Sequence, residues 1–308
     1  MKVGVLGGGP WGLALARAAA RAKAEVLLIS RRFEQAPSPG IRLGSLHDLR
    51  DTSLVIVAVP TTHVRKVARE VGEHLGGGHL LVHGIRGLSG DKPATVSSIF
   101  REETAVRRLG ALGGPVQAKE LDHGQPSAIV VGSAFADVRT AFAAAFAGPW
   151  LQIYPTEDLV GLEWASALVG CLSIGVGYVQ ARPDVSPGLL AALISRAVDE
   201  GAAIARAAGG EAQTLYGLAG YGDLIASMAL TDRPEVVLGR TLAEGKTLPE
   251  AQAAAELRIE AVELVPRLAR IALQQGFKDG VFSSLHEILK GDKSPTDLVR
   301  RIFRTSTS

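Results

Sequence analysis

Hydrophobic residues in the first half of the chain form short continuous runs, separated by polar and glycine-rich stretches. Continuous apolar runs predict strands that are buried on both faces, and the alanine-rich stretch after the first run predicts a helix over about residues 11–23. Alternation of strands and helices predicts a parallel sheet covered on both faces. The predicted strands are residues 2–6, 25–30, 54–59, 80–82 and 128–131.

Beyond about residue 156 the apolar positions recur with helical spacing, and no further strand is predicted. The longest such segments are residues 158–179, 188–208 and 249–275, with shorter ones up to residue 303. We therefore predict an α/β architecture, in which a Rossmann-type doubly wound parallel sheet domain over residues 1–155 precedes an all-helical domain over residues 156–308.

The composition of the chain argues against several classes of function. The chain has 308 residues, is 47% hydrophobic and carries a formal net charge of +2, with its basic residues spread along the sequence. This pattern argues against a nucleic-acid partner. The most apolar window, residues 168–179, is too short for a membrane span and fits a buried helix. The single cysteine, Cys171, excludes an internal disulfide and suits a cytoplasmic protein. We find no spacing of side chains typical of a metal site.

A glycine motif follows the first predicted strand directly. Gly7, Gly9 and Gly12 form G-x-G-x-x-G at the start of a predicted helix. The first glycine permits a tight turn, the second lets the backbone approach a pyrophosphate, and the third lets the helix pack closely on the strand. Pro10 suits the first helical turn, and the free amide groups of the helix N-terminus favour phosphates. Trp11 lies beside this turn and is a further candidate for cofactor binding, with packing as the simpler alternative.

The end of the second predicted strand indicates which dinucleotide binds. An acidic residue at this place usually binds the adenosine ribose, whereas here the sequence reads Ser30-Arg31-Arg32 and the first acid is Glu34. Arginine and serine can hold a 2′-phosphate that a carboxylate would repel. The pattern favours NADP or use of both cofactors; the alternative is a pair of solvated arginines.

Residues 7–16 resemble the opening of the NAD(P)-dependent glycerol-3-phosphate dehydrogenases, and the likeness continues almost to the end of the chain. Six further motifs follow in the family's order: residues 57–60 with Arg65; 86–88; 114–115 with Ala118, Glu120, Gly124 and Pro126; 191–196 with Glu200; 217–224; and 239–240 with Gly245 and Lys246.

The resemblance implies a helical domain like that of 6-phosphogluconate dehydrogenase and a hydride transfer between NAD(P)H and dihydroxyacetone phosphate, giving sn-glycerol 3-phosphate. It implies NADP or NAD as the cofactor and a small phosphorylated substrate, and it allows a homodimer. It adds Pro60 and Arg86 to the cofactor-binding residues, and it implies that Arg86 and Asp223 are catalytic and that Arg233 binds substrate.

The sequence departs from the family at the principal proton donor. Val169 stands where the family has a lysine, and Gly170 where it has an asparagine. A second family lysine corresponds to Arg86, which keeps the charge but is a poor proton donor. Three hypotheses follow: a dehydrogenase of the glycerol-3-phosphate type, a reductase of a different carbonyl compound, and a cofactor-binding protein without catalysis.

A second departure lies after the glycine–aspartate motif. The family's Ser-Arg-Asn reads Asp232-Arg233-Pro234 here, so that Arg233 could still bind a phosphate while Asp232 adds a repulsive charge. Asp223 either tunes neighbouring cations, with Arg86 and Arg233 as its natural partners, or caps a helix that starts at the next residue. Two further acids on predicted helices, Glu163 and Glu200, belong either to a cleft or to buried ion pairs with Arg196.

Overall fold

The computed structural model describes residues 1–90, 93–183, 185–257 and 259–291. The chain forms two compact units, of which the first is Met1–Glu163 and the second begins at Trp164. The division falls inside one long helix, slightly later than the predicted boundary at residues 155 and 156.

The first unit is built on one sheet. Its strands are β1 (Lys2–Leu6), β2 (Glu25–Ile29), β3 (Ile41–Leu43), β4 (Leu54–Val57), β5 (Leu80–His83), β6 (Arg108–Gly113), β7 (Ser127–Gly132) and β8 (Leu151–Thr156). They lie in the order β3-β2-β1-β4-β5-β6-β7-β8. The side chains of β4 are all buried, as its continuous apolar run predicts.

The sheet is predominantly parallel, as predicted, with one antiparallel pair near one end. Strands β1 to β6 are parallel to one another, whereas β7 pairs antiparallel with β6 and parallel with β8. The short helix that connects β6 to β7 packs on the first helix instead of crossing the sheet. The chain therefore re-enters the sheet from the edge at which it left, and an apolar run does not encode that direction.

The parallel strands bring the loops that follow them to one edge of the sheet. From β1 the chain proceeds outward to β2 and β3 on one side, and then returns to place β4 on the other side of β1. Strand order reverses between β1 and β4, and in open α/β sheets ligands bind at this crevice beyond the carboxyl ends of the strands.

Five α-helices accompany the sheet in the described part of this unit: α1 (Pro10–Arg21), α2 (Val64–Gly72), α3 (Val96–Glu103), α4 (Ala118–His123) and α5 (Ala136–Ala145). The buried face of α1 consists largely of alanines, and α1 packs on β1 and β2. Small side chains allow this close approach of helix and sheet.

Eight further helices follow in the described residues: α6 (Leu159–Gln180), α7 (Pro187–Ala207), α8 (Ala212–Tyr216), α9 (Asp223–Ala229), α10 (Pro234–Ala243), α11 (Leu248–Ala254), α12 (Ala261–Gln274) and α13 (Val281–Lys290). A π-helical turn at Leu218–Gly222 precedes α9. The α/β and all-helical arrangement agrees with the predicted fold class. The predicted helix at 249–275 is wrong as one element, because Glu256 adopts a left-handed φ of 56° between α11 and α12. The shorter segments predicted between residues 292 and 303 lie outside the described residues.

Among the described residues, α6 is the one helix long and apolar enough to cross a membrane. Most of its apolar window is buried inside the protein, and a core helix passes the same test of length and composition. This burial agrees with the prediction of a core helix at residues 168–179.

Candidate functional site

The glycine motif forms a tight turn between β1 and α1. Gly7 has a φ of +117°, and a Cβ there would collide with the carbonyl oxygen of Ala58. A Cβ on Gly12 would collide with the carbonyl oxygen of Gly7 in the same way. At Gly9, by contrast, no atom would lie within 4 Å of an added Cβ. Two glycines therefore close the turn, and the third leaves open space above the backbone.

The N-terminus of α1 faces that open space with unused hydrogen-bond donors. Gly9 is the N-cap residue and makes no side-chain cap, Pro10 begins the helix, and the first turn contains no acidic residue. The first amide groups of a helix have no partner within the helix and carry partial positive charge. This arrangement fits the pyrophosphate of a dinucleotide.

The predicted 2′-phosphate residues lie at the neighbouring strand end. Ser30 follows β2, its hydroxyl accepts a hydrogen bond from the Arg32 amide at 3.1 Å, and it lies against Gly8 of the glycine turn. The side chains of Arg31 and Arg32 are exposed. The fold thus brings this segment beside the glycine turn, and both guanidinium groups remain accessible to a ligand.

The remaining cofactor candidates surround the same edge. Pro60 is exposed and follows β4, the strand across the switch point from β1. Trp11 is partly buried, and its indole lies so close to Gly84 that a Cβ there would collide with Nε1. Trp11 therefore packs against the loop after β5, in agreement with the packing interpretation.

Arg86 lies in that loop after β5. Its Nη2 donates a hydrogen bond to the carbonyl oxygen of Gly114, which follows β6, at 3.0 Å. The side chain is half-buried. The loop is therefore tied across the carboxyl ends of two strands, and it holds a cation at the edge where the glycine turn lies.

A network of buried hydrogen bonds that includes His83, the last residue of β5, was not predicted. Glu163, 3% exposed, binds His83 Nε2 at 3.0 Å and accepts hydrogen bonds from the Ser97 amide at 2.8 Å and the Ser97 hydroxyl at 2.5 Å. Ser97 lies in the first turn of α3, whose amide groups lack helical partners. The proposed ion pair of Glu163 with Arg196 is wrong. Three elements distant in sequence create the network, so spacing along the chain gives no signal for it.

Asp223 and Arg233 form the charged centre of the helical unit. Asp223 is fully buried, Arg233 is 5% exposed, and Arg233 Nη1 binds Asp223 Oδ1 at 2.9 Å. Nη1 also donates to the Ser227 hydroxyl. Asp223 is the first residue within α9, with Gly222 as the N-cap and no side-chain cap. The helix-cap interpretation of Asp223 is therefore wrong, and its predicted pairing with Arg233 is confirmed.

A second carboxylate, Glu235, also binds Arg233. Glu235 Oε2 accepts a hydrogen bond from Arg233 Nε at 3.2 Å. Burial alone would lower the pKa of the guanidinium, but the charges and hydrogen bonds of Asp223 and Glu235 raise that pKa above its ordinary value. Asp232, which we expected to oppose a phosphate, is exposed. The acid beside the guanidinium is therefore Glu235, placed by the first turn of α10.

Val169 and Gly170, the two departures on α6, lie close to this centre. Val169 is fully buried. Ser173, one turn further on, binds the Ser227 hydroxyl at 3.1 Å, and Ser227 binds Arg233. Residues four apart lie on the same face of a helix, so the face of α6 that carries Val169 is directed at the charged centre. That face supplies the isopropyl group of Val169 and the hydroxyl of Ser173, and α6 contains no lysine or arginine.

Glu200 has a structural partner that sequence reasoning missed. Its carboxylate accepts hydrogen bonds from the amides of Val281 at 2.5 Å and Phe282 at 3.1 Å, at the N-terminus of α13. Burial raises the pKa of Glu200 to about 7, against the opposing effects of these two amides and of the Arg196 charge. The charge of Arg196 is thus one of three interactions that favour the ionised Glu200 carboxylate, beside the two amide groups.

The sequence matches two family models that describe the halves of one enzyme. Residues 46–138 match the NAD-dependent glycerol-3-phosphate dehydrogenase N-terminus, and residues 158–300 match its C-terminus. Residues 2–84 also match a model described as NADP oxidoreductase, coenzyme F420-dependent. The glycine turn and the strands around it thus belong to a nicotinamide-dinucleotide fold.

Relatives and solved structures agree over nearly the whole chain. The glycerol-3-phosphate dehydrogenase [NAD(P)+] of Moorella thermoacetica is 29% identical over 98% of this chain and 95% of its own length. The glycerol-3-phosphate dehydrogenase structure from Coxiella burnetii superposes with a TM-score of 0.87 at 22% identity, covering 98% of each chain. The enzyme from Saccharomyces cerevisiae gives 0.85 at 19% identity, covering 98% of this chain and 99% of that one. The chain belongs to the NAD-dependent glycerol-3-phosphate dehydrogenase family, whose members are oxidoreductases that use NAD or NADP.

Proposed function

We propose that the chain catalyses hydride transfer between NAD(P)H and dihydroxyacetone phosphate, giving sn-glycerol 3-phosphate, at a rate limited by the absent lysine. The observation that carries the proposal is the glycine turn at the switch point, where Gly9 leaves open space in front of the α1 N-terminus. The relatives that bear this activity in their names match from end to end. We place the reaction in the cytoplasm, where one free cysteine remains reduced.

The nicotinamide cofactor supplies the hydride. The chain's own residues bind and orient it: the glycine turn and α1 hold the pyrophosphate, and Arg31 and Arg32 are placed to bind a 2′-phosphate. Pro60 and Trp11 flank the same edge of the sheet. An open backbone at Gly9 and exposed guanidinium groups after β2 support these roles.

Reduction of a ketone also needs a cation near the developing alkoxide and a proton donor. Arg86 supports the first role, because its loop is tied to Gly114 at the carboxyl edge of the sheet. Arginine remains protonated throughout the physiological range and is a poor donor. In the proposed mechanism Asp223 fixes Arg233, which binds the substrate, and a water molecule replaces the family lysine as proton source.

The test is a turnover assay of the purified protein with NADPH and dihydroxyacetone phosphate. NADPH should bind firmly and be consumed slowly, and the Gly9→Val variant should lose both properties. Firm binding with no consumption for this or any other carbonyl compound would contradict catalysis and leave a cofactor-binding protein.

A second candidate function is the reduction of a different carbonyl compound. It is favoured by one observation: the Arg233 guanidinium is already paired with Asp223 and Glu235. A guanidinium with two carboxylate partners has little attraction left for a phosphate. Turnover of an unphosphorylated ketone faster than dihydroxyacetone phosphate would support this candidate.

A further inference from the structure

A single carboxylate holds both ends of the segment that carries Arg86. His83 is the last residue of β5, Ser97 lies in the first turn of α3, and Arg86 stands between them in the sequence. Glu163 Oε1 contacts His83 Nε2 at 3.0 Å and accepts a hydrogen bond from the Ser97 amide at 2.8 Å. Glu163 Oε2 accepts a hydrogen bond from the Ser97 hydroxyl at 2.5 Å. One side chain of α6 therefore fixes where this segment starts and where it ends.

The three residues of this contact are shielded from water. Glu163, His83 and Ser97 are 3%, 1% and 4% exposed. Hydrogen bonds to a charged group are stronger where water is excluded, and a buried charge that loses a donor is costly. The ends of the segment are consequently held more firmly than exposed contacts could hold them.

The imidazole ring of His83 is oriented by a contact at each nitrogen. Nε2 faces Glu163, and Nδ1 accepts a hydrogen bond from the Ile85 amide at 3.4 Å. Because Nδ1 is an acceptor, these contacts assign the ring proton to Nε2, which donates it to the carboxylate. Ile85 directly precedes Arg86 in the chain. The ring therefore connects the Glu163 carboxylate to the backbone next to the cation.

Further contacts fix the backbone around Arg86. Its guanidinium donates a hydrogen bond to the carbonyl oxygen of Gly114 at 3.0 Å, and Leu88 is buried. Ser89 and Ala94 exchange two backbone hydrogen bonds, of 2.9 Å and 2.8 Å. A donor that is already in place stabilises a developing charge without reorganisation during the reaction. The segment thus meets the structural condition for electrostatic catalysis by Arg86.

We propose that Glu163 is a positioning residue: through His83 and Ser97 it holds Arg86 where the guanidinium meets the cofactor and the developing alkoxide. Glu163 acts through Arg86 and not on the substrate itself. The inference rests on the proposed hydride transfer and deepens it, since it gives a buried carboxylate outside the glycine turn a part in the reaction.

A double-mutant cycle over Glu163 and Arg86 tests the proposal in the full chain. Glu163→Gln keeps the size of the side chain and removes its charge, whereas Arg86→Ala removes the cation. We expect each single change to lower the affinity for NADPH about tenfold, as for one charge-assisted hydrogen bond. Each should also lower kcat for dihydroxyacetone phosphate by about 10- to 100-fold with little change in KM, because the alkoxide forms only in the transition state.

The double variant distinguishes positioning from a general loss of stability. In a protein that already carries Arg86→Ala, Glu163→Gln should change neither quantity by more than about twofold, because the guanidinium that Glu163 positions is absent. Fluorescence titration measures the affinity for NADPH, and steady-state assays measure kcat and KM. The affinity remains measurable where turnover is too slow.

Matched variants control for the loss of a buried side chain. Glu200→Gln should behave like the parent, since Glu200 is also buried and also accepts two amide hydrogen bonds at a helix N-terminus, that of α13. His83→Leu removes the donor to Glu163 and should behave like Glu163→Gln, whereas His83→Gln retains an N–H group and should restore most of the loss. Ser97→Ala removes one donor and takes the place of Glu163→Gln in the cycle if circular dichroism shows that the glutamine variant does not fold.

Affinity and turnover distinguish the inference from the function on which it rests. If the parent binds NADPH without consuming it and the affinity cycle is non-additive, hydride transfer is wrong and the positioning role of Glu163 stands. If the losses of the single variants multiply in the double variant for both quantities, Glu163 acts independently of Arg86 and the inference is overturned, while turnover still supports the function. A Glu163→Gln or Arg86→Ala protein that behaves like the parent also overturns it, as does a parent that binds no NADPH.

Discussion

The glycine turn after β1 and the Arg233 cluster, which consists of Asp223, Arg233 and Glu235, show two kinds of constraint on a sequence. In the turn, Gly7 and Gly12 are required because a Cβ at either position would collide with backbone atoms. In the cluster, charges of either sign occupy positions set by α9 and α10, and a change at one position can be balanced at another. A backbone constraint thus permits one residue type, whereas a charge constraint permits many combinations.

The difference explains where this chain has diverged. In the first unit the glycine motif is intact, and Arg86 stands where the family has a lysine. The other departures, Val169, Gly170, Asp232 and Pro234, lie in the second unit. In the second unit, Glu235 binds the guanidinium of Arg233, which we propose as a substrate-binding group. We therefore expect the departures to affect the choice of substrate more than the binding of the cofactor.

Restoring the family residues should have the largest effect on activity. The variant Val169→Lys with Gly170→Asn and Pro234→Asn places a cation on the α6 face that carries Ser173, directed at the Arg233 cluster. A missing general acid costs about 10²–10⁴ in rate, and we expect a gain within that range for dihydroxyacetone phosphate. Steady-state assays with NADPH measure it.

Two observations would contradict that expectation. One is an unmodified protein that reduces dihydroxyacetone phosphate on the order of 10 times per second, an ordinary enzymatic rate. The other is a folded triple variant with unchanged activity. Circular dichroism and NADPH binding serve as controls, because a lysine at the buried Val169 position could also destabilise the helical unit.

The next effect separates the three glycines of the turn. Gly9→Val should fold normally, because nothing lies within 4 Å of its added Cβ, but its side chain would occupy the pyrophosphate space. We expect NADPH affinity to fall by about 10²–10³. Gly12→Val should instead lower thermal stability, since its side chain collides with Gly7. Fluorescence titration and thermal melting measure the two effects, and a Gly9→Val protein that binds NADPH like the parent would refute the assignment.

The sequence predicted the elements that depend on local patterns. Apolar runs identify β1, β2 and β4, and the glycine spacing identifies the turn and the start of α1, because each depends on residues near one another in the chain. The sequence did not indicate that β7 runs antiparallel to β6, since an apolar run is the same in either direction. The helix at 249–275 was wrong because helical periodicity continues through the left-handed turn at Glu256.

The sequence predicted only those parts of the site that depend on residues close to one another in the chain. The pairing of Arg233 with Asp223 followed from the resemblance. The contact of Glu235 with Arg233 did not, although both residues lie at the start of α10. The Glu163–His83–Ser97 network joins three elements up to 80 residues apart. Contacts of this kind arise from tertiary packing, and a single sequence contains no periodic signal for them.

A third effect concerns stability in the helical unit. Burial raises the pKa of Glu200 from 4.5 to about 7. Below pH 4.5 the carboxyl is protonated in both states; as pH rises to about 7 the unfolded chain releases the proton first, so stability falls and then levels off. The loss is about 3 kcal/mol at most. Glu200→Gln should remove this component, so that the difference in melting temperature between parent and variant should change between pH 4.5 and 7. Parallel curves would show that Glu200 does not titrate there.

The smallest effect concerns the choice of cofactor in the first unit. Arg31 and Arg32 are exposed beside the glycine turn, on the strand end where an acid would favour NADH. Only NADPH carries a 2′-phosphate, so the double variant Arg31→Ala with Arg32→Ala should lower the affinity for NADPH about tenfold and leave the affinity for NADH almost unchanged. A tenfold change is typical of one charge-assisted hydrogen bond. Fluorescence titration of both cofactors at several salt concentrations measures the difference, since exposed charges are screened by salt. Arg42→Ala, an exposed arginine on β3, is the matched control. Equal losses for the two cofactors would mean that the arginine pair contributes general positive charge and does not recognise the 2′-phosphate. The cofactor site would then itself combine a turn fixed by the backbone with charges that tolerate substitution.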